Sequence, residues 1–139
     1  MKKKLIIIIG LLLSCPVMIH AQVARKLREL GLENIRTTEA GGTTIAAFED
    51  NVYRGTYRGI GKAIVAGMEG ISNGNLELVA LDGNGIPQLS ICLPDTLITG
   101  YKAGKITLKE VYERMGLSYS TDRPMRLLKE STEVILSLI

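Results

Sequence analysis

Hydrophobic and polar positions change period several times along the chain, and each change marks an element. Val23, Ala24, Leu27 and Leu30 recur with Arg25, Lys26, Arg28 and Glu29 between them, a spacing that predicts a short amphipathic helix. Gly31 stands where a left-handed cap belongs, and Leu32 can fold back onto the helix. Glu33 to Glu39 carries the β-branched Thr37 and Thr38 and reads as a strand. Ala40-Gly41-Gly42 is a turn, and Thr43 to Glu49 a second strand. In that strand Ala46 and Phe48 share one face, Ile45 and Ala47 the other. Apolar residues on both faces suit a central strand.

Beyond the polar Glu49-Asp50-Asn51 turn the period lengthens. From about Thr56, Ile60, Ala63, Ile64, Met68 and Ile71 form one helical stripe. Gly59, Gly61 and Gly67 each weaken such a helix by about 1 kcal/mol relative to alanine, and close packing on a sheet is the physical reason to tolerate them. Leu76 to Leu81 and Ile86 to Leu93 are apolar strands around the hairpin turn Asp82-Gly83-Asn84-Gly85. Pro87 makes the second of them start late or lie at an edge. Residues 95–106 read as a connecting arm. Thr107-Leu108-Lys109-Glu110 is a capping box, opening a helix with Leu108, Val111 and Met115 on one stripe and Gly116 as its cap. Ser118 to Arg126 is a polar linker. Glu133 to Ile139 is a strand-like apolar run, which either pairs with the domain's own sheet or begins something larger.

The expected fold is therefore a single small α+β domain, with elements in αββαββα order and helices packed on a mainly antiparallel four-stranded sheet. It occupies residues 23–116, followed by a linker and terminal strand over 117–139.

The first residues belong to another class. Lys2, Lys3 and Lys4 precede a nine-residue apolar core, Leu5 to Leu13, and a polar end, Ser14 to Gln22. That core is too short for a bilayer span, which takes about 20 residues. Residues 1–21 read as a secretory signal cleaved after Ala21. The rival reading is a lipoprotein box, Leu12-Leu13-Ser14-Cys15, with Cys15 lipidated. Leu13 stands there where a small residue is usual, and Pro16 follows the cleavage point. Either way the mature chain is exported and carries no transmembrane helix.

Export changes the charge balance. Loss of the three lysines lowers Lys+Arg from 17 to 14, equal to the 14 Asp+Glu. A neutral chain lacks the basic face that nucleic-acid binding needs. His20, the sole histidine, leaves with the signal, as does Cys15. Cys92 then has no disulfide partner within the chain and no histidine base, and its apolar strand predicts a buried, inert thiol. No isolated carboxylate pair and no His/Cys metal set can be assembled, so the expectation is a non-enzyme without cofactor or metal.

Two glycine motifs fail their templates. Between Gly55 and Gly61 there are five residues where a phosphate loop has four, and Ala63 occupies the hydroxyl position. Gly59-Ile60-Gly61 would need a third glycine at Ile64. The suggestive cluster is Tyr53, Arg54, Tyr57 and Arg58, two aromatics and two guanidiniums at i, i+4 spacing. It is suited to stacking on sugars or clamping an acidic polymer. The structural alternative has the tyrosines capping the core and the arginines paired with Glu49 and Asp50.

Three segments carry a family likeness: Leu30-Gly31-Leu32-Glu33-Asn34-Ile35-Arg36, Phe48-Glu49-Asp50-Asn51-Val52-Tyr53-Arg54, and Gly85-Ile86-Pro87-Gln88-Leu89. Together with the arm ending Tyr101-Lys102-Ala103-Gly104-Lys105 and the capped helix after it, the region 25–116 resembles the small periplasmic domain of YjbH-like exopolysaccharide-biosynthesis proteins of the bacterial outer membrane. The resemblance implies a periplasmic, outer-membrane-associated module linked to exopolysaccharide production or export. Its partners would be outer-membrane or polysaccharide-export components, or the polysaccharide itself. Members continue into a large β-barrel, whose start would fall near Glu133. The resemblance supplies no catalytic residue. The competing expectation is a stand-alone secreted interaction domain that docks a partner by strand addition.

Overall fold

Two tight turns fold the strands into hairpins. Gly41 and Gly42 both have positive φ, +56° and +79°, the left-handed pair that a two-residue hairpin turn requires. They join β1 (Glu33–Ala40) to β2 (Thr43–Glu49), antiparallel, with Ala40 opposite Thr43. The second hairpin joins β3 (Asn75–Leu81) to β4 (Pro87–Leu93). Here Asp82 Oδ1 accepts the backbone N–H groups of Asn84 and Ile86, each at 2.9 Å. Pro87 is the first residue of β4, where its missing N–H costs no interior ladder bond. The computed structural model describes residues 21–54 and 57–138. The signal reading of residues 1–20 and the lipidation reading of Cys15 lie outside the described residues.

Helix α2 (Tyr57–Gly70) connects the hairpins and carries the chain back, so β2 and β3 run parallel from Thr43↔Asn75 to Glu49↔Leu81. A short β5 (Gly116–Ser118) pairs antiparallel with β4. The sheet is thus mixed and five-stranded, in the order β1-β2-β3-β4-β5. The sheet is mainly antiparallel as expected, with the inner β2–β3 pair parallel. The expected four strands are corrected to five, because Gly116 opens a strand where a helix cap and linker were expected.

Five helices occur among the described residues: α1 (residues 21–29), α2, α3 (Asp95–Lys102), α4 (Leu108–Arg114) and α5 (Asp122–Ser137). Thr107 caps α4 as the capping box predicts, its hydroxyl accepting the Glu110 N–H at 3.2 Å. The arm expected over 95–106 is instead mostly α3, which buries Leu97 and Ile98. The run from Glu133, expected as a strand, continues α5. Pro124 lies in the first turn of α5, where no intrahelical N–H is needed. Two i,i+4 ion pairs run along its exposed side, Arg126–Glu130 at 3.9 Å and Lys129–Glu133 at 3.8 Å. The packed unit therefore extends past residue 116.

Helices cover both faces of the sheet. On one face Ala46, Phe48, Leu76, Leu78, Ile91 and Leu93 meet Val23, Leu27, Ala63, Ile64, Met68, Ile98 and Val111 of α1–α4. On the other, Ile45, Ala47, Val79 and Leu81 meet Leu128 of α5. This two-sided burial is why β2 and β3 are apolar at successive positions. A Cβ on Gly67 would lie 2.8 Å from Leu76 Cδ2, and one on Gly70 2.8 Å from Val23 Cα. These two glycines let α2 sit close to β3 and α1. Lys102 adds a tie, its ammonium donating to the Ile71 carbonyl just beyond α2.

Candidate functional site

The chain enters α2 through a turn organised by acidic and amide side chains. Asp50 Oδ1 accepts the Tyr53 N–H at 2.7 Å. The carboxylate's other oxygen lies 2.0 Å from where a Gly59 Cβ would be. Gly59 therefore answers to this turn and not to the sheet. Glu49, buried at the end of β2, accepts the amides of Asn34 and, at 3.0 Å, Asn51. Asn51 donates as well to Glu33 at 2.9 Å. Asn34 reaches Glu49 from an irregular step in β1, where its own φ is +50°. The arginine pairing expected for Glu49 is replaced by these two amides, which satisfy the carboxylate without a countercharge.

The four residues of the sequence cluster part company from here. Tyr53 is half-buried and lies beneath the Lys62 ammonium, 5.6 Å from ring centroid to nitrogen. Arg54 is exposed and closes the turn at φ +57°, a left-handed conformation unusual for a side chain of its size. Tyr57 is 93% exposed and so caps no core. Arg58 beside it is exposed too.

Tyr57 and Arg58 line a groove of about 520 Å³ between α2, α4 and the end of α1, together with Gly61, Lys62, Leu108 and Tyr112. Arg54 and Tyr53 are outside its lining. Gly61, Lys62, Leu108 and Tyr112 were not singled out in the sequence as site residues. They meet only because α4 packs beside α2. Gly61 was visible as a costly helix glycine, and the neighbour it spares is Tyr112: a Cβ there would stand 3.1 Å from the phenol oxygen. Burial, then the neighbouring Tyr101, raises the Tyr112 phenol above its ordinary pKa, so it stays a neutral donor. Glu69, at the far end, pairs with Lys26 at 3.8 Å. Among the described residues, no carboxylate forms an ion pair with Arg58 or Lys62.

A second cleft, of about 300 Å³, lies on the opposite sheet face near Glu77, Cys92 and Arg123. Cys92 is exposed, which corrects the expected buried thiol. Among the residues on that face of β4, Ser90 is buried and Cys92 is not, and the residue opposite Cys92 on β5 is Gly116, which has no side chain. Glu77 is buried, bonded to Ser90 and 3.9 Å from Arg123. Burial and then the charge of Glu77 push the Cys92 thiol up, away from the thiolate a nucleophile needs.

Among the described residues no group of three His, Cys, Asp or Glu side chains is placed to hold a metal ion, and no helix is long and apolar enough to cross a membrane. No family model, no curated protein and no solved structure matches the chain.

Proposed function

We propose that this protein is an exported, non-enzymatic module of the periplasm and outer membrane, linked to exopolysaccharide production or export, and that it engages polysaccharide through the α2–α4 groove. The observation that carries the reading is the groove itself. It joins exposed aromatic rings, Tyr57 and Tyr112, to two cations that lack an ion-pair partner among the described residues, Arg58 and Lys62. Rings of this kind offer an apolar face with a wet edge, suited to sugars. The one carboxylate among the described residues of its lining, Glu69, is held by Lys26, whereas glycoside hydrolysis takes two carboxylates flanking the bond. Binding without cleavage suits that composition. The likeness of residues 25–116 to YjbH-like exopolysaccharide-biosynthesis proteins supports the same reading.

Saturable binding of soluble polysaccharide, lost in a Tyr57→Ala, Arg58→Ala double variant that keeps its circular dichroism, is the expected result. Polysaccharide shortening during incubation would overturn the non-enzymatic part.

A second reading is favoured by one observation. β1 is an eight-residue edge strand paired on one side only, which is the template for strand addition. Glu33, Arg36 and Glu39 on it are exposed charges of the kind that discourage such pairing, so the groove remains the preferred surface. A protein partner whose binding survives the double variant and is competed by an added β-strand peptide would reverse that preference.

A further inference from the structure

We propose that the groove is built for an acidic glycan, with a sugar ring lying against Tyr112, which Gly61 lets sit close on α2, and its carboxylates meeting Arg58 and Lys62. The proposal rests on the polysaccharide reading above and narrows it to one class of ligand.

The first support is Gly61. Gly67 and Gly70 are demanded by the core, where a Cβ would strike Leu76 or the backbone of Val23, and Gly59 is demanded by the Asp50 turn. Gly61 answers to none of these. The atoms a Cβ there would meet are Tyr112 Oη at 3.1 Å and Tyr112 Cζ at 3.9 Å. A half-buried helix position thus keeps a weak helix former, and the side chain it makes room for is Tyr112, a wall of the groove. Tyr112 is 38% exposed and lines the groove.

The second support is charge. Arg58 and Lys62 stand one turn apart on one face of α2, about 6 Å along the axis. Guanidinium binds carboxylate through two parallel hydrogen bonds, and ammonium adds a compact point charge. Lys62 Nζ lies over the Tyr53 ring, 5.6 Å from its centroid. At the other end Lys26 neutralises Glu69, so among the described residues no unpaired negative charge in the lining repels a polyanion.

Titration calorimetry of the full chain with polygalacturonate and with neutral dextran tests this. Polygalacturonate is expected to bind saturably, and to weaken at least ~5-fold between about 50 mM and about 500 mM NaCl as the groove charges are screened. An Arg58→Gln, Lys62→Gln variant should lose at least ~10-fold in affinity as charge-assisted bonds become neutral ones. Gly61→Leu brings in a better helix former that pushes the Tyr112 phenol out of place, so it should abolish binding while the fold persists by circular dichroism. Dextran bound as tightly as polygalacturonate, and released by the Tyr57→Ala, Arg58→Ala change, overturns the acidic class and leaves the polysaccharide reading standing. Binding of neither polymer overturns both. Polygalacturonate binding that is unchanged in Gly61→Leu and in the Gln variant overturns the placement of the ligand.

Discussion

Ser90 donates its hydroxyl to Glu77 Oε1 at 2.6 Å, on a diagonal of the β3–β4 register in which Glu77 itself stands opposite Cys92. The contact fixes a buried carboxylate beside an exposed thiol. Alkylation of Cys92 by iodoacetamide should therefore be slow at about pH 8 and rise with pH through a midpoint above that of an ordinary thiol. Glu77→Gln removes the negative charge and should speed the reaction by about threefold or more at that pH. An unchanged rate would mean that burial alone sets the shift. The sign for stability follows. A thiol whose pKa is raised in the fold contributes stability below its unfolded pKa, and that contribution is lost as pH rises through the folded value.

Two glycines of α2 should respond to alanine in opposite directions. Gly70→Ala drives a methyl against the Val23 backbone at 2.8 Å and the Gln22 carbonyl at 3.0 Å, and should cost about 2 kcal/mol or more, because backbone cannot step aside cheaply. Gly61→Ala meets only the end of a tyrosine that can yield by a few tenths of an ångström, and should gain up to about 1 kcal/mol from helix propensity. Urea denaturation of the two variants reads the difference, and equal destabilisation would contradict the packing described.

Arg54 holds a left-handed backbone with no place in the groove lining. Arg54→Gly should stabilise the protein by about 0.5–1 kcal/mol, the steric relief exceeding the added chain entropy. Polysaccharide binding should be unaffected. A loss of affinity in this variant, measured by calorimetry, would return Arg54 to the site.

Leu128 is 2% exposed among Ile45, Ala47, Val79 and Leu81. Leu128→Ala should cost about 2–4 kcal/mol in a single cooperative urea transition. A variant of near wild-type stability would mean that α5 does not belong to the cooperative unit.

Much of the fold is legible because its signals are local. The Gly41-Gly42 and Asp82-Gly85 turns, the Thr107 cap and the apolar stripe of α2 each sit within a few residues of what they specify. The failures share a cause as well. Val134 to Leu138 is an apolar run with the look of a strand, and only the upstream spacing of Pro124, Leu128 and the charged pairs makes it helical. α3 is eight residues long, too short for a period to declare itself. β5 is three residues long and exists because β4 is there to pair with. In the groove, Tyr57 and Arg58 could be read from adjacent positions. Tyr112 could not, because its meeting with Gly61 is made by the docking of α4, and no spacing along the chain encodes it.

The parallel seam between β2 and β3 has a kinetic consequence. Each hairpin closes over a short turn and can form early, since short loops cost little entropy to close. The seam joins Thr43 to Asn75, so it must wait for α2 to be in place and for two preformed halves to meet. Folding is expected to be limited by that encounter: substitutions within a hairpin, already formed when the halves meet, should slow folding, and substitutions of seam contacts made only afterwards should chiefly speed unfolding.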